Sequence, residues 1–266
     1  ISTCKEKGSK PAVFQTGGGY PNAKKNFLEK YEILISDRYF AYGSFNKSNK
    51  KISEVGFIRN FNKKLRTPNY KGNIIVTLYT PFGYNSEPTC RRPIGSQWSK
   101  YISDQINFIS LLPDDIKKLL IVRLKRRHPE NSNYFDYWSI KKKIITKFPD
   151  INIDETHGKK ELLDHMSNSR LIIATYNATV ILETLSANMP TLIFWDKKYN
   201  EINNLAVPIF DELFSVGILH YNPESIVKHI SKNLENIEQW WNNKKLQKAR
   251  EEFCRSFAYF PDDNNS

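Results

Sequence analysis

The residues best placed to do chemistry lie between Ser169 and Trp195. Leu171, Ile172 and Ile173 read as a buried strand, followed by a polar turn, Thr175-Tyr176-Asn177, and then an amphipathic helix. Pro190 closes that helix, and Thr191 to Trp195 reads as a second buried strand. Two apolar strands joined by one helix form a βαβ unit, hence a parallel sheet with right-handed crossovers. Ligands of such sheets bind at the carboxyl ends of the strands, where a loop feeds the next helix. Here that loop carries hydroxyls and an amide just before a helix start, whose unpaired N–H groups and dipole attract an anion. Glu183 follows Thr179 by four residues and so shares its helix face. Phosphate at the mouth and ribose hydroxyls on Glu183 would suit a nucleotide. The competing reading is that Thr175 and Asn177 cap the helix and Glu183 is a solvated surface charge.

Two other stretches carry chemistry. Gly17-Gly18-Gly19 follows a short strand, and consecutive glycines let a backbone approach a ligand closely or adopt positive φ. The run is not the spaced dinucleotide fingerprint, which disfavours NAD; a plain turn is the alternative. His128 stands just past the strand LLIVRL in a basic cluster with Arg123, Lys125, Arg126 and Arg127. Such a group can neutralise a departing phosphate, or be no more than an exposed basic loop. His157 and His165 read as structural or surface residues. No His/Cys/Asp/Glu set has metal-ligand spacing, so no metal is expected. No P-loop or nucleophile elbow occurs either.

These residues need a scaffold, and the rest of the chain supplies one. Its 266 residues, 39% hydrophobic and 13% aromatic, can fill a large α/β core. The alternation predicts strands at 12–15, 32–35, 52–57, 73–79, 119–124, 151–154 and 218–219 beside the two already described. It predicts helices at 20–30, 98–112, 134–147, 159–168, 199–216, 223–233 and 237–257. This is a doubly wound α/β pattern. The polar stretch 60–71 reads as a linker. It divides a remnant domain, residues 1–62, from a nucleotide-binding domain, residues 63–260, with a disordered acidic tail at 261–266.

The net charge of +12 is spread over lysine pairs with no nucleic-acid motif, so no specific nucleic acid is expected. Three scattered cysteines suggest a reducing compartment, and no apolar run reaches membrane-spanning length. The expected setting is the cytoplasm, with peripheral attachment to a membrane allowed; oligomeric state is not legible.

QTGGGY with EILISDRYFAYG, VRL with its basic loop, HGKKELLDHMSNSRLIIATYNATVILETLSANMPTLIFW, and VPIFDELFSVGILHYNPES together resemble GT-B glycosyltransferases. More narrowly, they resemble a bacterial family of transferases found at O-antigen and capsule loci. The resemblance implies a Rossmann-like, GT-B type C-terminal domain preceded by the end of a first Rossmann-like domain. It implies sugar transfer from a CMP- or UDP-activated donor to a glycan or lipid-linked acceptor in surface polysaccharide synthesis, without a metal cofactor. Arg123, His128, Thr175, Tyr176, Asn177, Thr179 and Glu183 would then hold the nucleotide, and Gly17 to Gly19 would wall the cleft. Two positions depart from the family pattern: Thr16 stands where relatives have a histidine, and Pro21 where they have a glycine. No general base is assigned. A non-hydrolysing nucleotide-sugar epimerase and a non-catalytic polyanion-binding module remain the alternatives.

Overall fold

A computed structural model describes residues 2–45, 48–57, 67–80, 93–124, 139–154 and 162–259. After a short helix, α1 (Ser2–Glu6), come β1 (Ala12–Phe14), α2 (Phe27–Ile35), β2 (Arg38–Ala41) and β3 (Ile52–Glu54). These strands form a parallel three-stranded sheet in the order β1-β2-β3. The second series is β4 (Asn73–Leu78), α3 (Gln97–Leu111), α4 (Asp114–Lys117), β5 (Leu120–Leu124), α5 (Ile140–Lys147), β6 (Asn152–Asp154), α6 (Leu162–Met166), β7 (Ser169–Ala174), α7 (Thr179–Ser186), β8 (Thr191–Phe194), α8 (Val207–Ser215), β9 (Leu219–His220) and α9 (Pro223–Asn233). A 3₁₀ turn (Leu234–Asn236) then leads into α10 (Ile237–Trp241) and α11 (Lys244–Phe257).

The second sheet is wholly parallel, ordered β6-β5-β4-β7-β8-β9. Counted within the sheet this is 3-2-1-4-5-6, the Rossmann order, and the chain reverses direction between β4 and β7. A parallel sheet covered on both faces needs near-continuous apolar strands. Ile74, Ile75, Val76, Leu78, Leu171, Ile172, Ile173, Leu192, Ile193 and Phe194 are accordingly all buried.

Several predicted elements shift. Residues 32–35 are not a strand: α2 runs from Phe27 to Ile35, and the strand follows at Arg38–Ala41. The apolar run Ile33-Leu34-Ile35 is the last turn of a helix whose start is fixed by Asn26, whose side chain accepts from the Glu29 amide. The helix predicted from Tyr20 begins only there, because Asn22 and Ala23 are engaged with the second sheet's unit. Likewise 199–206 is irregular, and only Val207–Ser215 is helical. The single basic helix predicted over 237–257 breaks at Asn242-Asn243, and Asn243 caps the second part by accepting from the Lys245 amide. Residues 60–66 of the expected linker, 134–138 and 159–161 of two helices, and the tail 261–266 lie outside the described residues.

The two sheets are tied twice. Ala23 bridges Ile202, and the Lys24 amide donates to the Glu201 carbonyl. At the other end of the chain the last turn of α11 returns to the first unit. There Phe45 donates to the Ser256 carbonyl, and Tyr259 exchanges bonds with Tyr42 and Phe57. The first unit therefore packs against both the middle and the end of the second. α2 buries none of its residues: Phe27, Leu28, Tyr31 and Leu34 are exposed. Among the described residues no helix is long and apolar enough to cross a membrane.

Candidate active site

The switch point between β4 and β7 is built by one chain of hydrogen bonds. The Tyr79 amide donates to the Tyr101 hydroxyl (2.9 Å), Tyr101 donates to Thr175 Oγ1 (2.7 Å), and Thr175 donates to the Thr77 carbonyl (2.7 Å). All four residues are buried. The Thr175 hydroxyl, expected from the sequence to meet a phosphate, is instead spent inside the protein, tying α3 to the carboxyl ends of two strands. It does not cap α7 either, whose N-cap position is held by Ala178 with no side-chain bond. Tyr101→Phe strips the Tyr79 amide of its acceptor and should cost about 1–3 kcal/mol. Thr175→Val removes the next link, so the double variant should cost less than the sum of the two. Urea denaturation of all three proteins checks this; strict additivity would mean that the chain is not one unit.

At the mouth of α7 lies the glycine loop. A Cβ on Gly18 would stand 2.4 Å from the Thr179 amide nitrogen and 2.5 Å from its Cα, and one on Gly19 would stand 2.9 Å from the Asn177 carbonyl oxygen. Neither glycine has positive φ, so close approach, not conformational freedom, requires them. Gln15, itself buried, holds the loop: its amide donates to the Gly17 carbonyl (2.9 Å) while its oxygen accepts from the Tyr42 amide (3.0 Å). Thr16 is exposed, with its hydroxyl 3.0 Å from that of Tyr20.

Three buried asparagines complete the joint. Asn177 Nδ2 donates to Asn22 Oδ1 (2.7 Å), and the Asn177 amide donates to Asn200 Oδ1 (3.4 Å). Asn177 Oδ1 and Asn200 Nδ2 are left buried without a hydrogen-bond partner among the described residues. Asn177 thus neither caps α7 nor stands free; it fastens the loop after the glycines to the helix mouth. Asn22, Asn200, Tyr101 and Thr77 were not singled out from the sequence. Asn22 stands three residues after the glycine run, the one sequence feature that places any of them near the site.

Two of the remaining candidates, Arg123 and Glu183, act on Tyr176. Its hydroxyl is held far above the usual phenol range, first by burial, with Glu183 raising it further and Arg123 opposing. Both charges therefore act on the same buried ring. Arg123 sits in register with Thr77, which is in register with Ala174. It is thus two strand spacings, about 10 Å, from the start of the polar turn. It pairs with Asp154, whose carboxylate also lies 3.4 Å from His165 Nε2. Arg123, expected from the sequence to meet a phosphate, has its guanidinium shared with this carboxylate. Thr179 and Glu183 are half-buried on α7. His128, with Lys125 to Arg127, and His157 lie outside the described residues. Among the described residues no cluster of three or more His, Cys, Asp or Glu could hold a metal.

Two parallel sheets, the second in Rossmann order, meeting where a glycine loop lies on a helix mouth at the switch point, define a GT-B type fold. A model of the LIC12162 family transferases matches residues 1–265, and the chain belongs to that family. A search of curated proteins found no match. Among solved structures, the chain is similar to the wall teichoic acid polymerase TagF at 15% identity, covering 86% of this chain and 55% of that one, with a TM-score of 0.46. It is similar to WaaG, a glycosyltransferase involved in lipopolysaccharide biosynthesis, at 11% identity over 86% and 67% of the two chains, TM-score 0.42. MurG of Acinetobacter baumannii gives 12% identity over 94% and 64%, TM-score 0.43. The chain spans little more than half the length of the polymerase it matches, and the assignment of fold rests on the strand order itself.

Proposed function

We propose that this chain carries the donor-binding part of a glycosyltransferase that moves a sugar from a CMP- or UDP-activated donor in bacterial surface polysaccharide synthesis. The observation that supports this most is the approach of Gly18 to the Thr179 amide at the switch point, the place where Rossmann sheets take nucleotides. The first amides of α7 would face the donor phosphate, with the unpartnered Asn200 Nδ2 as a further donor. Glu183, one turn deeper, would accept hydrogen bonds from the ribose hydroxyls. His128 would offset charge as the bond between the sugar's anomeric carbon and the phosphate oxygen breaks. The acceptor hydroxyl forms the new bond and gives its proton to a base that we leave unassigned. In this scheme the helix mouth and His128 do the work that a metal does elsewhere. Residues 1–62 and 63–260 would act as two domains, in a cytoplasmic protein with peripheral membrane attachment. A glycan or lipid-linked glycan would be the acceptor.

A thermal-shift screen against CMP, UDP, GDP and TDP tests the reading, because a ligand of the native state raises its stability by mass action. CMP and UDP should raise the transition most. His128→Ala should weaken that binding by about 1.5–3 kcal/mol, the scale for a hydrogen bond to a charged group. Glu183→Ala should harm nucleotides more than inorganic phosphate. Wild-type affinity in both variants would end the donor-site assignment, and polyanion binding without nucleotide selectivity would replace it.

A further inference from the structure

We propose that a cleft on the opposite edge of the second sheet is a separate binding site for an acidic glycan. α8 ends at Ser215, just before β9 begins, and α9 ends at Asn233. Both ends therefore lie at the amino edge of the sheet, at least one strand length, about 13 Å, from the α7 mouth. Between them and the start of α11 is a cleft of about 540 Å³, within the usual size of small-molecule sites.

Apart from Val216 and Leu246, the lining is aromatic, polar or cationic. Trp240, half-buried, offers an indole whose position is fixed on two sides. It packs edge-on against His229 (4.8 Å between ring centroids) and lies beside Trp241, whose indole N–H is held by Asn188 at 2.9–3.0 Å. Asn236 and Gln239 present amides, which can donate and accept together as neighbouring sugar hydroxyls do, and Asn243, whose oxygen caps α11, keeps its amide N–H groups. Lys232 and Lys245 add two exposed ammonium groups, suited to carboxylates or phosphates on the sugar. No carboxylate lines the cleft among the described residues; Glu212, Glu235 and Glu238 belong to the same elements but lie outside the lining. An aromatic face, amides and unopposed cations fit a charged saccharide better than an apolar ligand. The choice of a glycan rests on the proposed transferase reading, in which an acidic product chain could stay bound behind the sheet while its end is extended. The cleft itself does not depend on that reading.

The test is calorimetric titration of the full chain with an eight-residue oligogalacturonate, with maltooctaose as the neutral control and inorganic phosphate as the small-anion control. Oligogalacturonate should bind, and maltooctaose at least tenfold more weakly. Trp240→Phe and the pair Lys232→Glu with Lys245→Glu should each weaken oligogalacturonate binding at least tenfold. The thermal shift given by CMP or UDP should not change in either variant. Because both lysines are exposed, the charge-reversed pair should fold even if the indole change disturbs packing. The proposal is overturned if oligogalacturonate does not bind, if the charge-reversed protein binds it as tightly as wild type, or if phosphate or maltooctaose binds equally well. Binding that passes these criteria in a protein that ignores all nucleotides would sink the donor reading and leave this site standing.

Discussion

Gly18→Ala should abolish nucleotide binding while the protein stays folded. The added Cβ would meet backbone, the Thr179 nitrogen at 2.4 Å and its Cα at 2.5 Å, and backbone cannot swing aside as a flexible side chain can. Either the glycine loop or the first turn of α7 must retreat. Gln15 and the Asn22–Asn177 bond hold both ends of this contact, so the strain spreads into the joint. Overpacking of this kind costs roughly 1–3 kcal/mol, enough to lower the urea midpoint without unfolding a domain of this size. Nucleotide titration should show at least a hundredfold loss of affinity, because a shift of about 1 Å at the mouth misplaces the amides meant for the phosphate. Thr16→Ala, at an exposed neighbouring position, should bind as wild type. Normal affinity in Gly18→Ala would show that the loop and the helix mouth do not form one site.

The second large effect is on stability in acid. His220 and His229 pack ring against ring, 5.0 Å between centroids. Burial lowers both from the ordinary value of 6.5 to about 4, with His220 and Lys232 adding repulsion at His229. The unfolded chain takes up these protons near pH 6.5 and the folded chain only near pH 4. In that window the unfolded state binds more protons, so stability falls as pH falls. At pH 5 each histidine should cost about 2 kcal/mol relative to pH 7.5. Urea unfolding at pH 7.5, 6 and 5 measures the slope. A variant with His220→Gln and His229→Phe should lose most of it, and an unchanged slope in that variant would assign the acid sensitivity to other groups.

The second sheet was legible because its strands are continuous apolar runs separated by turn residues. LLIVRL, LIIA and TLIF could hardly be anything else in a chain of this kind. The errors fall where tertiary contacts override local pattern. Ile33 to Ile35 has strand composition, yet a capped helix start at Asn26 carries the helix through it. Residues 199–206 have helical composition, yet Ala23 and Asn22 hold them in an irregular turn-rich form, bridged at Ile202 and bonded at Asn203. The site shows the same division. The switch point, the glycine loop and the helix mouth were readable from strand–turn–helix spacing. What Thr175 and Asn177 do was not, because their partners Tyr101 and Asn22 lie 74 and 155 residues away in sequence. No local rule could tell a hydroxyl waiting for phosphate from one already bonded to Tyr101.

A crystal structure of the chain soaked with CMP, and separately with UDP, tests the donor site most directly. The nucleotide phosphate should lie within hydrogen-bond distance of the amides of Thr179 and Val180, with the glycine loop still packed on the helix mouth. The ribose hydroxyls should meet the Glu183 carboxylate. A nucleotide bound elsewhere, or a phosphate at the mouth with its ribose turned away from Glu183, would contradict the assignment.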